Sequence, residues 1–94
     1  MRQQPVSVTH DNTTYYVHEP TAGDYCWAEM HAAGSNIKLV YLLALKCTRD
    51  SNNKPVFADP LSALDDVGIS LATKLVNAVS QFMQAASPAV IEKN

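Results

Sequence analysis

Polarity alternates residue by residue through Val6-Ser7-Val8-Thr9-His10 and again through Thr13-Thr14-Tyr15-Tyr16-Val17-His18, the period of a strand. Between the two runs sits Asp11-Asn12, a pair that tolerates the positive φ angles of a tight hairpin turn. A two-residue turn sets Val8 opposite Tyr15 and Val6 opposite Val17 on one face. Ser7, Thr9, Thr14 and Tyr16 then share the other face, so turn and pattern agree. A lone hairpin is marginal in water, and this one has to pack on helices or on another chain.

Beyond Pro20 the period lengthens. Thr21 is a good N-cap, with Asp24 at the capping-box position, and a first helix runs from about Ala22 to Ala33, ended by Gly34. Ser35 or Asn36 caps a second helix that continues to about Cys47. Its segment Leu39-Val40-Tyr41-Leu42-Leu43-Ala44-Leu45 is apolar on every face, which requires burial on all sides. Arg49 to Lys54 is a polar loop of turn-favouring residues, and Pro55-Val56-Phe57 is a short extended piece. Asp59 caps a third helix with Pro60 at its first position. In it Leu61, Leu64, Gly68, Leu71, Leu75, Ala78 and Phe82 recur at alternating spacings of three and four. Val67, Val76, Val79 and Met83 widen this stripe, and Ser70, Lys74, Asn77, Gln81 and Gln84 lie opposite. Gly68 marks a break or a close packing contact, because a mid-helix glycine costs about 1 kcal/mol. Pro88 ends the helix and residues 87–94 read as a loose tail. The expected fold is a single α+β domain over residues 1–94, mostly α-helical, with an N-terminal β-hairpin followed by about three helices.

Composition sharpens this picture. Of the 94 residues, 47% are hydrophobic and 17% charged, against a usual charged share of about 25%, so solubilising charge is scarce. A net charge of -2 provides no electrostatic footprint for nucleic acid, and the scattered basic residues form no membrane-surface patch. The longest apolar run, Leu39 to Leu45, is far short of the roughly 20 residues that span a bilayer. With no signal peptide ahead of Cys26 and Cys47, a soluble chain in a reducing cytoplasm is expected. Three helices and one hairpin bury the second helix, or the wide stripe of the third, more easily than both. The surplus points to self-association or to a surface that holds another protein.

Candidate chemistry is thin. His10, His18, Cys26, His31 and Cys47 show no metal-ligand spacing, and Cys26 and His31, five apart on one helix, point away from each other. Cys47 lies between Lys46 and Thr48-Arg49, where a perturbed thiol is conceivable, but a small apolar residue in the last helical turn explains it better. Asp65-Asp66 point in different directions, while Glu19 and Asp24 sit where a helix start favours negative charge. Gly23, Gly34 and Gly68 make no phosphate loop. The reading is therefore non-catalytic and without cofactor or metal. Tyr and Trp dominate contact energetics, so Tyr16, Tyr25 and Trp27 are the candidate protein-binding residues, together with Leu71, Leu75 and Phe82 of the apolar stripe. Tyr16 is expected to be the most exposed ring, since it lies opposite the Val face.

The segment Tyr15-Tyr16-Val17-His18-Glu19-Pro20-Thr21-Ala22-Gly23-Asp24-Tyr25 resembles the opening of the tail assembly chaperones of long-tailed phages. Leu42-Leu43-Ala44-Leu45-Lys46-Cys47-Thr48-Arg49-Asp50 followed by Asn53-Lys54-Pro55-Val56-Phe57 is similar to that family's middle, and the helix through Leu71, Leu75 and Phe82 to its C-terminal helix. The resemblance covers nearly the whole chain. Asn52-Asn53 stands where Asp-Gly is expected, and Gly68 interrupts the last helix. The resemblance implies a mainly helical fold and a role in building a phage or prophage tail in the host cytoplasm, outside the mature virion. The implied partner is the tape measure protein, with the tail tube protein as a second candidate and a homo-oligomer left open. It also implies a longer form made by programmed frameshifting, with which Glu92-Lys93-Asn94 is compatible. The alternative is a small structural tail or head–tail connector protein retained in the particle.

Overall fold

Two adjacent residues of positive φ, Asp11 at 49° and Asn12 at 65°, turn the chain as in a type I′ hairpin. The computed structural model describes residues 3–86; the tail at 87–94, with its Glu92-Lys93-Asn94 end, lies outside the described residues. Strands β1 (Val6–His10) and β2 (Thr13–Val17) pair in the expected register, Val8 with Tyr15 and Val6 with Val17. Val8 and Val17 are buried and the opposite face looks outward.

Helix α1 (Ala22–Ala32) begins with a complete capping box. The Thr21 hydroxyl accepts from the Asp24 amide at 3.1 Å, and Asp24 accepts from the Thr21 amide at 2.9 Å. Two left-handed residues, Ala33 and Gly34, end it. Ser35 caps α2 (Asn36–Lys46) by accepting from the Lys38 amide at 3.1 Å. α1 and α2 run antiparallel, since Asp24 at the start of one meets Lys46 and Cys47 at the end of the other. Thr48, fully buried, donates its hydroxyl to the Ala44 carbonyl at 2.7 Å and occupies one of the acceptors that a helix end leaves open.

A third strand, not expected from the sequence, forms there. Thr48–Arg49 (β3) pairs antiparallel with β2, Val17 against Thr48 and Tyr16 against Arg49, giving the sheet order β1-β2-β3. Arg49 thus belongs to the sheet and not to the polar loop. The loop itself is ordered by the Asp50 carboxylate, which accepts from the amides of Asn52 at 2.8 Å and Lys54 at 3.0 Å. Asn53 takes a φ of 64°, so asparagine occupies the left-handed position expected of a glycine.

The long third helix is in fact two, which makes four helices among the described residues. α3 (Pro60–Asp66), capped by Asp59, stops at Val67, whose ψ of 134° is extended; α4 (Ile69–Ala86) restarts after Gly68. Gly68 is not forced by sterics, because a Cβ there would meet nothing within 4 Å. Its poor helix propensity makes the break cheap, and the break lets α3 and α4 each lie against α2.

α2 is the hub, packed by α1, α3 and α4, while α4 also covers the inner face of β1 and β2. The expected shortfall in burial falls on the edges, where Leu39 and Val40 of α2 and Leu71, Val76 and Met83 of α4 are only partly buried. Leu42, Leu43 and Leu45 of α2 and Leu75, Val79 and Phe82 of α4 are all at most 3% exposed, since each helix supplies the cover for the other. Large apolar side chains remain exposed at Tyr25, Met30, Ile37 and Ile69. The outer edge of β1 is partly covered as well: the Lys74 ammonium donates to the Thr9 carbonyl at 3.3 Å, and a charge on an edge strand discourages further pairing.

Candidate protein-binding surfaces

The six candidate contact residues do not form one surface. Leu75 and Phe82 are 0% and 3% exposed in the core, so the folded chain offers neither to a partner. That is a correction: the stripe faces α2 and the hairpin, and only its edge reaches the surface. Leu71, on that edge, is half-buried. Tyr16 is half-buried, as is Tyr15, and is not the exposed ring that was expected, because β3 lays Arg49 beside it on the outer face. Trp27 is half-buried against the core, its ring 4.6 Å from that of His31 and beneath the Lys46 ammonium at 5.1 Å. Only Tyr25 is exposed, at 36%, in a shallow depression shared with Cys26, Glu29 and Met30. The charge of Glu29 holds the Tyr25 hydroxyl above its ordinary pKa.

The break between α3 and α4 builds a second apolar surface. Asp59 starts α3 by accepting from the Leu61 amide at 3.2 Å and the Ser62 hydroxyl at 2.8 Å; the Ser62 bond chiefly lowers its pKa. Val67 donates to the Ala63 carbonyl at 2.8 Å and then leaves the helix, and Ala72 donates to the Gly68 carbonyl at 3.0 Å to begin α4. The resulting elbow has a depression on each side of Val67. One, about 470 Å³, lies between Phe57, Ala63, Val67 and Leu71, with Asp59, Ser62 and Asp66 also lining it. The other, about 290 Å³, lies between Tyr41, Leu64, Val67, Ile69 and Ala72. Ile69 is 68% exposed at its rim. Sequence reading passed over Ile69 because it lies off the stripe; with Val67 and Gly68 beside it, the interruption was the available signal.

A third, polar cleft of about 150 Å³ collects His18, Asp24, Lys46, Cys47 and Arg49 where α1 begins and α2 ends. Asp24 organises it, pairing with Lys46 at 3.7 Å and accepting from the Cys47 thiol at 3.7 Å. Cys47 is buried and Cys26 is exposed. Among the described residues no group of three His, Cys, Asp or Glu side chains lies close enough to hold a metal ion. In the same residues no helix is long and apolar enough to cross a membrane.

Burial pulls the Asp24 pKa up, but the hydrogen bonds from Thr21, the Lys46 charge and the Cys47 thiol outweigh it and leave the carboxyl below 3.8. A lowered folded-state value contributes stability above the unfolded pKa of about 3.9, lost as pH falls through the folded value. Asp24→Asn therefore destabilises the chain at neutral pH, and the gap to the parent narrows as pH falls below about 3.9 and closes as it passes through the lower folded value. Urea denaturation at pH 7 and pH 3 measures both; an equal gap at the two values would assign the loss to packing instead of charge.

The chain matches no protein-family model, no curated protein and no solved structure.

Proposed function

We propose that this chain is a non-catalytic assembly chaperone of a phage or prophage tail, which binds the tape measure protein and assists the building of the tail tube. The resemblance of its three segments to that family names the process. The elbow between α3 and α4 is the structural observation that carries the binding role, since it exposes Ile69 beside half-buried Leu64, Val67 and Leu71. A client helix with apolar residues at i, i+3, i+4 and i+7 fits such a groove by laying its stripe along it. Binding of this kind is reversible, because the client's stripe is transferred from solvent to the elbow without any bond being made. The chain acts in the host cytoplasm, before the particle is complete, and no cofactor takes part.

Co-expression with the tape measure protein of the same genome tests the proposal. A soluble complex that co-elutes on size exclusion is expected, with the tape measure protein insoluble alone and this chain undetectable by mass spectrometry in purified virions. A tape measure protein that stays insoluble, with this chain recovered from virions, would replace the chaperone by a retained tail or connector component.

A further inference from the structure

The elbow is acidic as well as apolar. Residues 55–73, which form α3, the bend and the start of α4, hold three aspartates and no lysine, arginine or histidine. Asp59, Asp65 and Asp66 are all exposed. Asp59 and Asp66 line the same depression as Phe57, Ala63, Val67 and Leu71. Both carboxylates therefore stand on one flank of the apolar floor, seven residues and so about two helical turns apart. The depression on the other side of Val67, between Tyr41, Leu64 and Ile69, has no charged residue in its lining. The ion pairs among the described residues, His10–Asp11 and Lys46–Asp24, lie elsewhere. Lys46 and Arg49 sit across the wall of Phe57 and Ala58 in the polar cleft, where Lys46 pairs with Asp24 and Arg49 donates to the Asn53 carbonyl at 3.1 Å. Lys38 and Lys74 line neither depression.

We propose that the elbow selects a client helix whose apolar stripe is flanked on one side by lysine or arginine, placed about two helical turns apart for a client lying along α3. The inference rests on the elbow being the client site. With the stripe over Val67 and Ile69, one flank of the client passes over Asp59 and Asp66 and the other over uncharged surface. Basic residues on the first flank pair with the carboxylates, whereas acidic ones there meet like charge and are rejected. The Asp59 carboxylate is already fixed by the Leu61 amide and the Ser62 hydroxyl, so little ordering is needed on contact. A second elbow is a poor occupant, since it brings aspartates against aspartates, and a nucleic acid or an anionic membrane is repelled in the same way. Charges at the rim of a contact govern partner choice and association rate more than total affinity, which the apolar floor supplies.

Two synthetic helical peptides test this against the whole chain by fluorescence anisotropy. Both carry leucine at i, i+3, i+4 and i+7. Beside that stripe, at two positions about two turns apart, one has lysine and the other glutamate. The lysine peptide is expected to bind at least about fivefold tighter at low salt. The preference fades in about 1 M salt, where the screening length falls to about 3 Å. Asp66→Lys abolishes it, because the two flank charges then cancel, and both peptides bind alike. Asp66 is exposed in the last turn of α3, where a cation suits the helix end, so the fold is retained, and a melting curve verifies it. Equal binding of the two peptides by the parent chain would overturn the proposal. So would a preference that Asp66→Lys leaves unchanged, or no binding of either peptide up to about 1 mM. Co-elution with the tape measure protein judges the chaperone reading separately: found alongside equal peptide binding, it leaves that reading standing and removes only the charge rule.

Discussion

Leu75→Ala is expected to cost about 3–4 kcal/mol, and Phe82→Ala about 3–5 kcal/mol, lowering the melting temperature by about 12–40 °C. Both side chains are at most 3% exposed and lie in one cluster with Leu42, Leu45, Val79 and the sheet residues Val8 and Val17. Truncation removes the transfer free energy of the lost methyl and methylene groups. It also leaves a cavity that cannot collapse, because α2 is held from three sides. A domain of this size has about 5–14 kcal/mol in total, so either change takes a large share, and both together, about 6–9 kcal/mol if additive, unfold it wherever its stability lies in the lower half of that range. Thermal denaturation followed by circular dichroism reads the effect. Loss of client binding in these variants would then report unfolding and not a contact, whereas a melting temperature within about 3 °C of the parent would mean that α4 is not packed as described.

The same two residues show where sequence reading reached and where it stopped. The three-four spacing of Leu71, Leu75 and Phe82 correctly marked one apolar face of a helix, but spacing alone cannot say whether that face meets the chain's own core or another protein. Burial of Leu75 depends on α2 passing beneath it, which is a tertiary fact. The local signals were far more legible. Asp11-Asn12 set the hairpin register, Thr21 with Asp24 started α1, Ser35 started α2, and Asp59-Pro60 started α3, because each acts through hydrogen bonds or φ angles within about four residues.

Elements that exist only by pairing at a distance were not legible. Thr48–Arg49 is a strand because β2 lies beside it and Thr48 closes the end of α2, and two residues carry no period of their own. The elbow was legible only as one of two readings of Gly68, a break or a close packing contact; the stripe continues in step through it, so the pattern favoured one long helix while the packing required two. The exposed residues Met30, Ile37 and Ile69 were missed for a related reason. Hydrophobic-face reasoning assigns apolar residues to the interior by default, and exposure of Ile37 follows only from its place in the first turn of a helix whose other end is buried.

Ile69→Asp is expected to weaken the proposed binding of the tape measure protein at least about thirtyfold, equivalent to roughly 2 kcal/mol, while leaving the fold intact. Ile69 is 68% exposed, so its removal creates no cavity. It is also the first residue of α4, where a carboxylate interacts favourably with the positive end of the helix dipole. The substitution therefore raises stability by a few tenths of a kcal/mol, if it moves it at all. That separation of effects is what truncations at Leu75 cannot provide. In the complex the new charge would face Val67, Leu64 and the client's apolar stripe, and desolvating it there without a partner is what costs affinity. Fluorescence anisotropy with a labelled tape measure segment measures the loss, and a melting curve on the same sample verifies the fold. Tyr25→Ala, remote from the elbow on α1, serves as the comparison and should bind as the parent does. If Tyr25→Ala loses binding and Ile69→Asp does not, the client lies along α1 and the elbow is only the joint that lets α3 and α4 close around α2.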